Sequence, residues 1–369
     1  MNRFAIVGNL AIAALIFIYP VISPASGPPI NRIKLPPGFT IDVYAVNVKG
    51  ARSMALGSNG TVFVGTRGEG KVYALLSRDG KKAEEIVTIA SGLGLPNGVA
   101  FHNGSLYVAE ITRVIRYDNI ENRLDNPPAP VVINDNIPDS LHHNWRYIAF
   151  APDGRLYISI GAPCNVCLSP EKLFATIARM NPDGTGLEIF ASGVRNSMGF
   201  DWDPSTGKLW FTDNGRDLLG DNVPADELNY ASSEGLHFGF PYCHGKNVAD
   251  PQYGKGRSCG DYVSPAVELP AHVAALGMRF YSGRMFPQEY RNGIFIAEHG
   301  SWNRTSPTGY RVSVVRFNAD GAASYETFAE GWLDRGRAWG RPVDILPMPD
   351  GSILISDDKV GAVYRISYE

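Results

Sequence analysis

Two neighbouring histidines, His142 and His143, carry the clearest acid–base chemistry in this chain. Imidazole titrates near neutral pH and can take a proton from an alcohol. The chain has seven histidines, which leaves few rivals: His102 and His272 fall near the ends of predicted strands, and His237, His244 and His299 fall in loops. Arginines supply a second chemistry. Arg52, Arg195 and Arg341, joined by Arg304 and by the amides Asn97 and Asn196, stand at matching places in a repeated pattern. Guanidinium forks suit carboxylates, so arginines gathered at one place would bind an anion, although the formal net charge is −3. The competing reading pairs each arginine with a carboxylate of its own segment, and Asp344, Asp357 and Glu298 are at hand for that. A third feature is the long loop spanning residues 212–245, rich in Gly and Asp. Its carbonyls, with the Asp226 and Glu227 carboxylates, suit calcium, a hard ion taking about six to eight oxygens. The same two acids would serve equally as turn caps.

The repeat itself must position these groups. An apolar strand, a tight polar turn with Gly, and a second apolar strand recur six times: MALGSNGTVFVGT from Met54, GVAFHNGSLYVAE from Gly98, YIAFAPDGRLYISIG from Tyr147, MGFDWDPSTGKLWFTDNG from Met198, MRFYSGRMFPQEYRNGIFIAEHG from Met278 and VDILPMPDGSILISDD from Val343. The turn glycines are Gly60, Gly104, Gly154, Gly207, Gly293 and Gly351, and Asn or Asp before Gly suits hairpin residues with positive φ. A period of about 45–60 residues with paired strands predicts a radial array of four-stranded antiparallel blades, an all-β, six-bladed propeller around one channel. In such an array the first strand of each blade lines the channel. The predicted strand starts then bring Arg52, Asn97, His142, His143, Arg146, Arg195, Asn196 and Arg341 to one mouth. Blade five begins with small apolar residues from Ala274 to Gly277, so its contribution is expected from the loop carrying His299 to Arg304.

Residues 26–369 are read as this single domain. Residues 1–25 have a signal-peptide layout: Arg3, an apolar run from Phe4 to about Ile22, then small residues before a cleavage point after Ala25. The run also approaches membrane-spanning length, so contact with a membrane is expected only if it stays uncleaved. Either way the globular part is expected outside the cytoplasm, periplasmic or secreted. Four cysteines agree with that compartment, and two local disulfides, 164–167 and 243–259, are the preferred pairing. A slightly acidic chain gives no electrostatic support for a nucleic-acid partner. No GxGxxG follows a strand and opens a helix, which argues against a nicotinamide cofactor. No CxxCH is present, so any haem carrier would be a separate protein.

Several segments together resemble the soluble quinoprotein sugar dehydrogenases, the glucose, aldose and sorbosone dehydrogenases that use pyrroloquinoline quinone (PQQ), nearest the sorbosone branch. They are HHNWRYIAFAPDGRLYISIGAPCNVC from His142, GVRNSMGFDWDP from Gly193, LWFTDNGRDLLGDNVPADELN from Leu209, GLHFGFPYCHG, and IAEHGSWNR followed by GYRVSVVRF. The resemblance runs from Ile33 through Ser367. It implies PQQ lying over the channel mouth, a calcium ion bridging the quinone and backbone carbonyls, and a histidine base for hydride transfer from a sugar carbon. The implied base falls on His142 with Arg146, or on His143 by the shorter spacing. Cofactor contacts fall on Arg195, Asn196 and Arg341, with Met198 in place of a glutamine. The calcium-holding carbonyls fall on Gly215 and Arg216, followed by Asp226 and Glu227. The usual lysine has no clean match, and Arg304 and Arg311 are the nearest cations. The expected partners are a small sugar and an external electron acceptor, a quinone or separate cytochrome. The alternatives on the same frame are a calcium-dependent lactonase or esterase and a non-catalytic propeller that binds a carbohydrate or protein.

Overall fold

A computed structural model describes residues 27–318 and 323–369. The expected signal segment, 1–25, lies outside the described residues. Six antiparallel sheets form the blades. Blade one holds Ala51–Leu56, Val62–Thr66, Val72–Leu76 and Glu85–Ala90, and blade two Gly98–His102, Ser105–Ala109, Val114–Tyr117 and Val131–Asn134. Blade three holds Ile148–Phe150, Leu156–Ile160, Thr176–Met180 and Glu188–Ser192, with Leu236–His237 added in parallel to its outer edge. Blade four holds Phe200–Trp202, Leu209–Asp213, Asp226–Ala231 and Val267–Leu269, and blade five Ala275–Phe280, Ile294–Glu298, Arg311–Phe317 and Ala323–Glu330.

Blade six is built from both ends of the described chain. Pro342–Pro347, Ile353–Asp357 and Ala362–Tyr368 receive Phe39–Val46 as the outer strand, in a register that sets Phe39 opposite Tyr368. Phe39 anchors this closure in an aromatic cluster, its ring 4.8 Å from Phe286 and 4.9 Å from both Phe328 and Tyr368. Edge-on aromatic contacts of this kind add to the area they bury.

The inner strands pack tightly around the axis because their facing residues are small. A Cβ on Gly199 would stand 2.4 Å from the Leu276 carbonyl oxygen, and one on Gly277 2.6 Å from the Asp344 Cα. Five predicted turn glycines, Gly60, Gly104, Gly154, Gly207 and Gly351, have positive φ, but Gly293 does not. In that longer turn the left-handed position has moved to Asn292, at φ 59°, a residue that tolerates it through its short polar side chain. Both preferred disulfides, Cys164–Cys167 and Cys243–Cys259, are formed. Among the described residues no helix is long and apolar enough to cross a membrane.

Candidate active site

First-strand starts and second-strand ends converge on one pit of about 290 Å³ at the channel mouth. Its floor is apolar: Met198, Leu276 and Val343 form a small buried cluster with Trp145 packed against it. Met198, where the resembled family has glutamine, therefore acts as packing. Two guanidiniums lie over the Trp145 ring, Arg52 at 5.0 Å and Arg67 at 5.2 Å from its centre, and cations over an indole face are attracted by its quadrupole.

On the wall shared by blades one, five and six, two arginines and a histidine meet one carboxylate, and a third arginine stands beside them. Asp358 is buried and accepts from Arg52 Nη1 at 3.1 Å and bonds His299 Nε2 at 2.8 Å, with Arg67 Nη1 3.7 Å away. Burial alone would raise the Asp358 pKa, but His299, Arg52 and Arg67 outweigh it and hold the carboxyl well below the usual range. Burial in turn lowers the His299 imidazole to about 4, against the pull of Asp358. Arg341 has no carboxylate partner; its Nε and Nη2 donate to the carbonyls of His299 and Gly300, at 2.9 and 2.5 Å, and its guanidinium lies over Tyr310. Positive charge is thus in excess here. Asn97 is fully buried beneath this wall, where its Oδ1 accepts from Arg52 Nε at 2.7 Å. It orients Arg52 and does not reach the pit.

The histidine pair divides. His143 lines the pit, while His142 is exposed and outside it. His143 sits at φ 46°, and its Nδ1 bonds the Ala162 carbonyl at 2.8 Å. A carbonyl can only accept, so Nδ1 carries the proton and Nε2 is the free base in the neutral ring. Burial, then the Arg195 charge, pushes the His143 pKa down to about 3. Arg146 is buried behind the loop and donates to the carbonyls of Ile111, His143 and Pro138, so it fixes the backbone that presents His143.

The blade four wall differs. Arg195 is 3% exposed, and each of its nitrogens is engaged: Nε by the Asn165 carbonyl at 2.8 Å, Nη1 by the Asn214 carbonyl at 3.0 Å, and Nη2 by Asn165 Oδ1 and Asp217 Oδ2 at 2.9 and 3.2 Å. Asn196 also lines the pit, and its side-chain amide makes no hydrogen bond to the described residues. Gly215 lines the pit as well, and neither its carbonyl nor that of Arg216 accepts a hydrogen bond from the described residues. The Arg216 side chain is turned away to Asp250.

Three further candidates, Asp226, Glu227 and Arg304, are engaged by protein partners. The Asp226 oxygens are taken by the backbone N–H of Gly215 and Ala274, at 2.8 and 2.7 Å, and those of Glu227 by Asn229 Nδ2 and Gly245 N–H, at 2.9 and 2.7 Å. These carboxylates pin loops, as turn caps would, and Glu227 lies outside the pit. Burial raises Asp226 to about 6, and burial with the neighbouring Asp213 charge raises Glu227. Among the described residues no group of three or more His, Cys, Asp and Glu is arranged to hold a metal. Arg304 also fails to reach the pit. It donates to the carbonyls of Asp221 and Ala271 and to Asn222 Oδ1, and so ties the blade five loop to the blade four loop.

Residues 108–365 match the family described as Glucose / Sorbosone dehydrogenase. The chain belongs to that family. A relative from Borreliella burgdorferi, itself an uncharacterized protein, is 36% identical over 96% of each chain. Two solved structures have the same fold. The PQQ domain of pyranose dehydrogenase from Coprinopsis cinerea, in its holo form, is 18% identical with a TM-score of 0.76, covering 91% of this chain and 97% of that one. A calcium structure of a Trichoderma reesei carbohydrate-active enzyme of family AA12 is 18% identical with a TM-score of 0.79, at the same coverage.

Sequence reasoning missed Arg67, Trp145, Asn214 and Asp358, all of which touch the pit or its cations. A signal was present. The residue after each second strand recurs at one place in the repeat: Arg67, Glu110, Gly161, Asn214, His299 and Asp358.

Proposed function

We propose that this protein is an exported, PQQ-dependent dehydrogenase that oxidises an aldose or a related sugar aldehyde or alcohol, with His143 as general base. The observation that carries the reading is a single pit with an apolar floor, three guanidiniums of which only two share a carboxylate, and a histidine with a free Nε2. That donor set fits a flat polyanion: PQQ is a planar tricarboxylate, Arg341 has no anion of its own, and the Asn196 amide is unpartnered among the described residues. Arg52, Arg67, Arg341 and Asn196 would hold it, with Arg195, its nitrogens already engaged, as a fixed cationic edge of the site. When bound, the quinone accepts the hydride, and the protein supplies orientation, the base and the electrostatics. His143 Nε2 takes the substrate hydroxyl proton, and a low pKa keeps that nitrogen unprotonated throughout the working pH range. An anion seated near Arg195 offsets the charge that depresses His143 and strengthens it as a base.

For calcium, the free carbonyls of Gly215 and Arg216 are suitable hard donors. Two carbonyls are a minority of the about six to eight oxygens calcium takes, so a bound anion and water would have to supply the rest. The named solved neighbours, a holo PQQ domain and a calcium structure, support both groups. Two disulfides support export to an oxidising compartment, and the electrons leave to an external quinone or cytochrome. The hydrolase alternative needs metal-ligating carboxylates facing the axis, whereas Asp226 spends both oxygens on backbone N–H groups.

Titration of the protein with PQQ, with and without calcium, followed by dye reduction over a panel of sugars, tests the reading. Saturable PQQ binding with sugar-dependent dye reduction is expected. His143→Asn should keep PQQ binding and lose about 10²–10⁴-fold in turnover, the usual worth of a positioned base. Absence of PQQ binding, or full turnover in the variant, would overturn it.

A further inference from the structure

The Cys164–Cys167 disulfide encloses only Asn165 and Val166, and Asn165 spends its polar atoms on the blade four wall of the pit. Its Oδ1 accepts from Arg195 Nη2 and from the Asp217 N–H, both at 2.9 Å. Its Nδ2 donates to the Asp217 carbonyl at 3.2 Å, and its own carbonyl accepts from Arg195 Nε at 2.8 Å. One short side chain thus grips both members of the Arg195–Asp217 ion pair. Asp217 is in turn held across the mouth by Asn303 Nδ2 at 3.0 Å.

The dependence runs both ways. Between Pro163 and Lys172, the described hydrogen bonds that reach beyond Leu173 all belong to Asn165; the others, from Glu171 N–H to Ser169 Oγ and from Leu173 N–H to Glu171 Oε1, are local. This stretch, which joins the second and third strands of blade three, has no regular structure. The disulfide is what keeps Asn165 in a fixed conformation within it, because bridging residues three apart removes most of the freedom of the backbone between them. An arginine locked before binding loses no rotamer entropy when an anion arrives. The second bridge, Cys243–Cys259, closes a longer loop and touches no arginine of the pit.

We infer that Asn165 is a positioning residue for Arg195, and that the Cys164–Cys167 bridge, by fixing Asn165, sets the affinity of the pit for its anionic cofactor without touching it. This rests on Arg195 belonging to a cofactor site.

The test compares Asn165→Ala, C164S/C167S and C243S/C259S with the unaltered protein. PQQ affinity is measured by calorimetry in the presence of calcium, and folding by thermal melting. The first two variants should bind PQQ about tenfold or more weakly, the scale of losing hydrogen bonds to a charged group. C243S/C259S should melt earlier yet bind within about twofold of the parent, since its bridge acts on the fold alone. In an Arg195→Lys background, which lacks the fork, Asn165→Ala should cost nothing further. Folded Asn165→Ala and C164S/C167S proteins that bind PQQ as the parent does would overturn the inference, as would an undiminished loss in the lysine background. If the unaltered protein binds no PQQ, the quinone reading falls by itself. The clamp is then measured in the free protein as hydrogen exchange at Arg195 Nε–H. Exchange at least tenfold faster in C164S/C167S supports it, and equal rates overturn it.

Discussion

The blade four wall of the pit holds one arginine and engages each of its nitrogens, whereas the wall shared by blades one, five and six holds three arginines against a single carboxylate. Both walls face the same ligand volume. A fully engaged guanidinium gives a fixed, shaped edge, and its charge is partly spent on Asp217. An under-compensated cluster gives attraction, and it is costly until an anion arrives. The contrast shows that counting arginines at a channel mouth does not measure its affinity for anions. What each guanidinium already touches decides its role.

Removing Arg195 should break the contrast most strongly. Arg195→Met leaves Asp217 and the carbonyls of Asn165 and Asn214 without their donor, and breaking a buried ion pair from one side costs about 3–5 kcal/mol. Chemical denaturation of the cofactor-free protein should show a loss on that scale. A loss under about 1 kcal/mol would mean the wall is not integral to the fold.

Asp358→Asn sharpens the opposite side. The amide keeps the shape but removes the one charge that balances Arg52 and Arg67. The cofactor-free variant should lose about 1–3 kcal/mol of stability, while its affinity for PQQ, or for a plain tricarboxylate such as citrate, should rise. Stability and binding moving in the same direction would contradict the excess-charge account.

A smaller effect follows from the histidines. Burial holds His143 at about 3 and His299 at about 4 in the folded protein, against about 6.5 unfolded. Below pH 6.5 the unfolded chain therefore takes up protons that the native state refuses, and these two residues withdraw stability as pH falls toward 4. Asp226, raised to about 6, acts with the opposite sign over the same window, because the native state then holds the extra proton. Relative to the parent, His143→Asn should therefore gain stability as pH falls from 7.5 to 5, read from melting temperatures, by at most one proton's worth of slope, about 1.4 kcal/mol per pH unit. An unchanged slope would mean that His143 is not held neutral.

Much of this was legible in the chain because propellers convert sequence repetition into spatial convergence. Arg52, Arg195 and Arg341 reach the pit since each stands where a first strand begins. Arg304 and His142 do not, because loop residues near the mouth obey local partners: Arg304 meets the carbonyls of Asp221 and Ala271, and His142 points to solvent. Asp358 and Arg67 went unread because they follow second strands, a place in the repeat that carries a different residue type in each blade. Phe39–Val46 has no partner strand beside it in sequence; its pairing with Ala362–Tyr368 spans most of the chain, and local patterning holds no trace of such a contact.

That closing strand makes the pocket a late product of synthesis. Arg341 and Asp358 belong to the blade that Phe39–Val46 completes, so an unclosed chain lacks one arginine of that wall and the carboxylate that the other two share. The complete pit is thereby deferred to the closed ring, and a partly made copy carries Arg52 and Arg67 without the carboxylate that balances them.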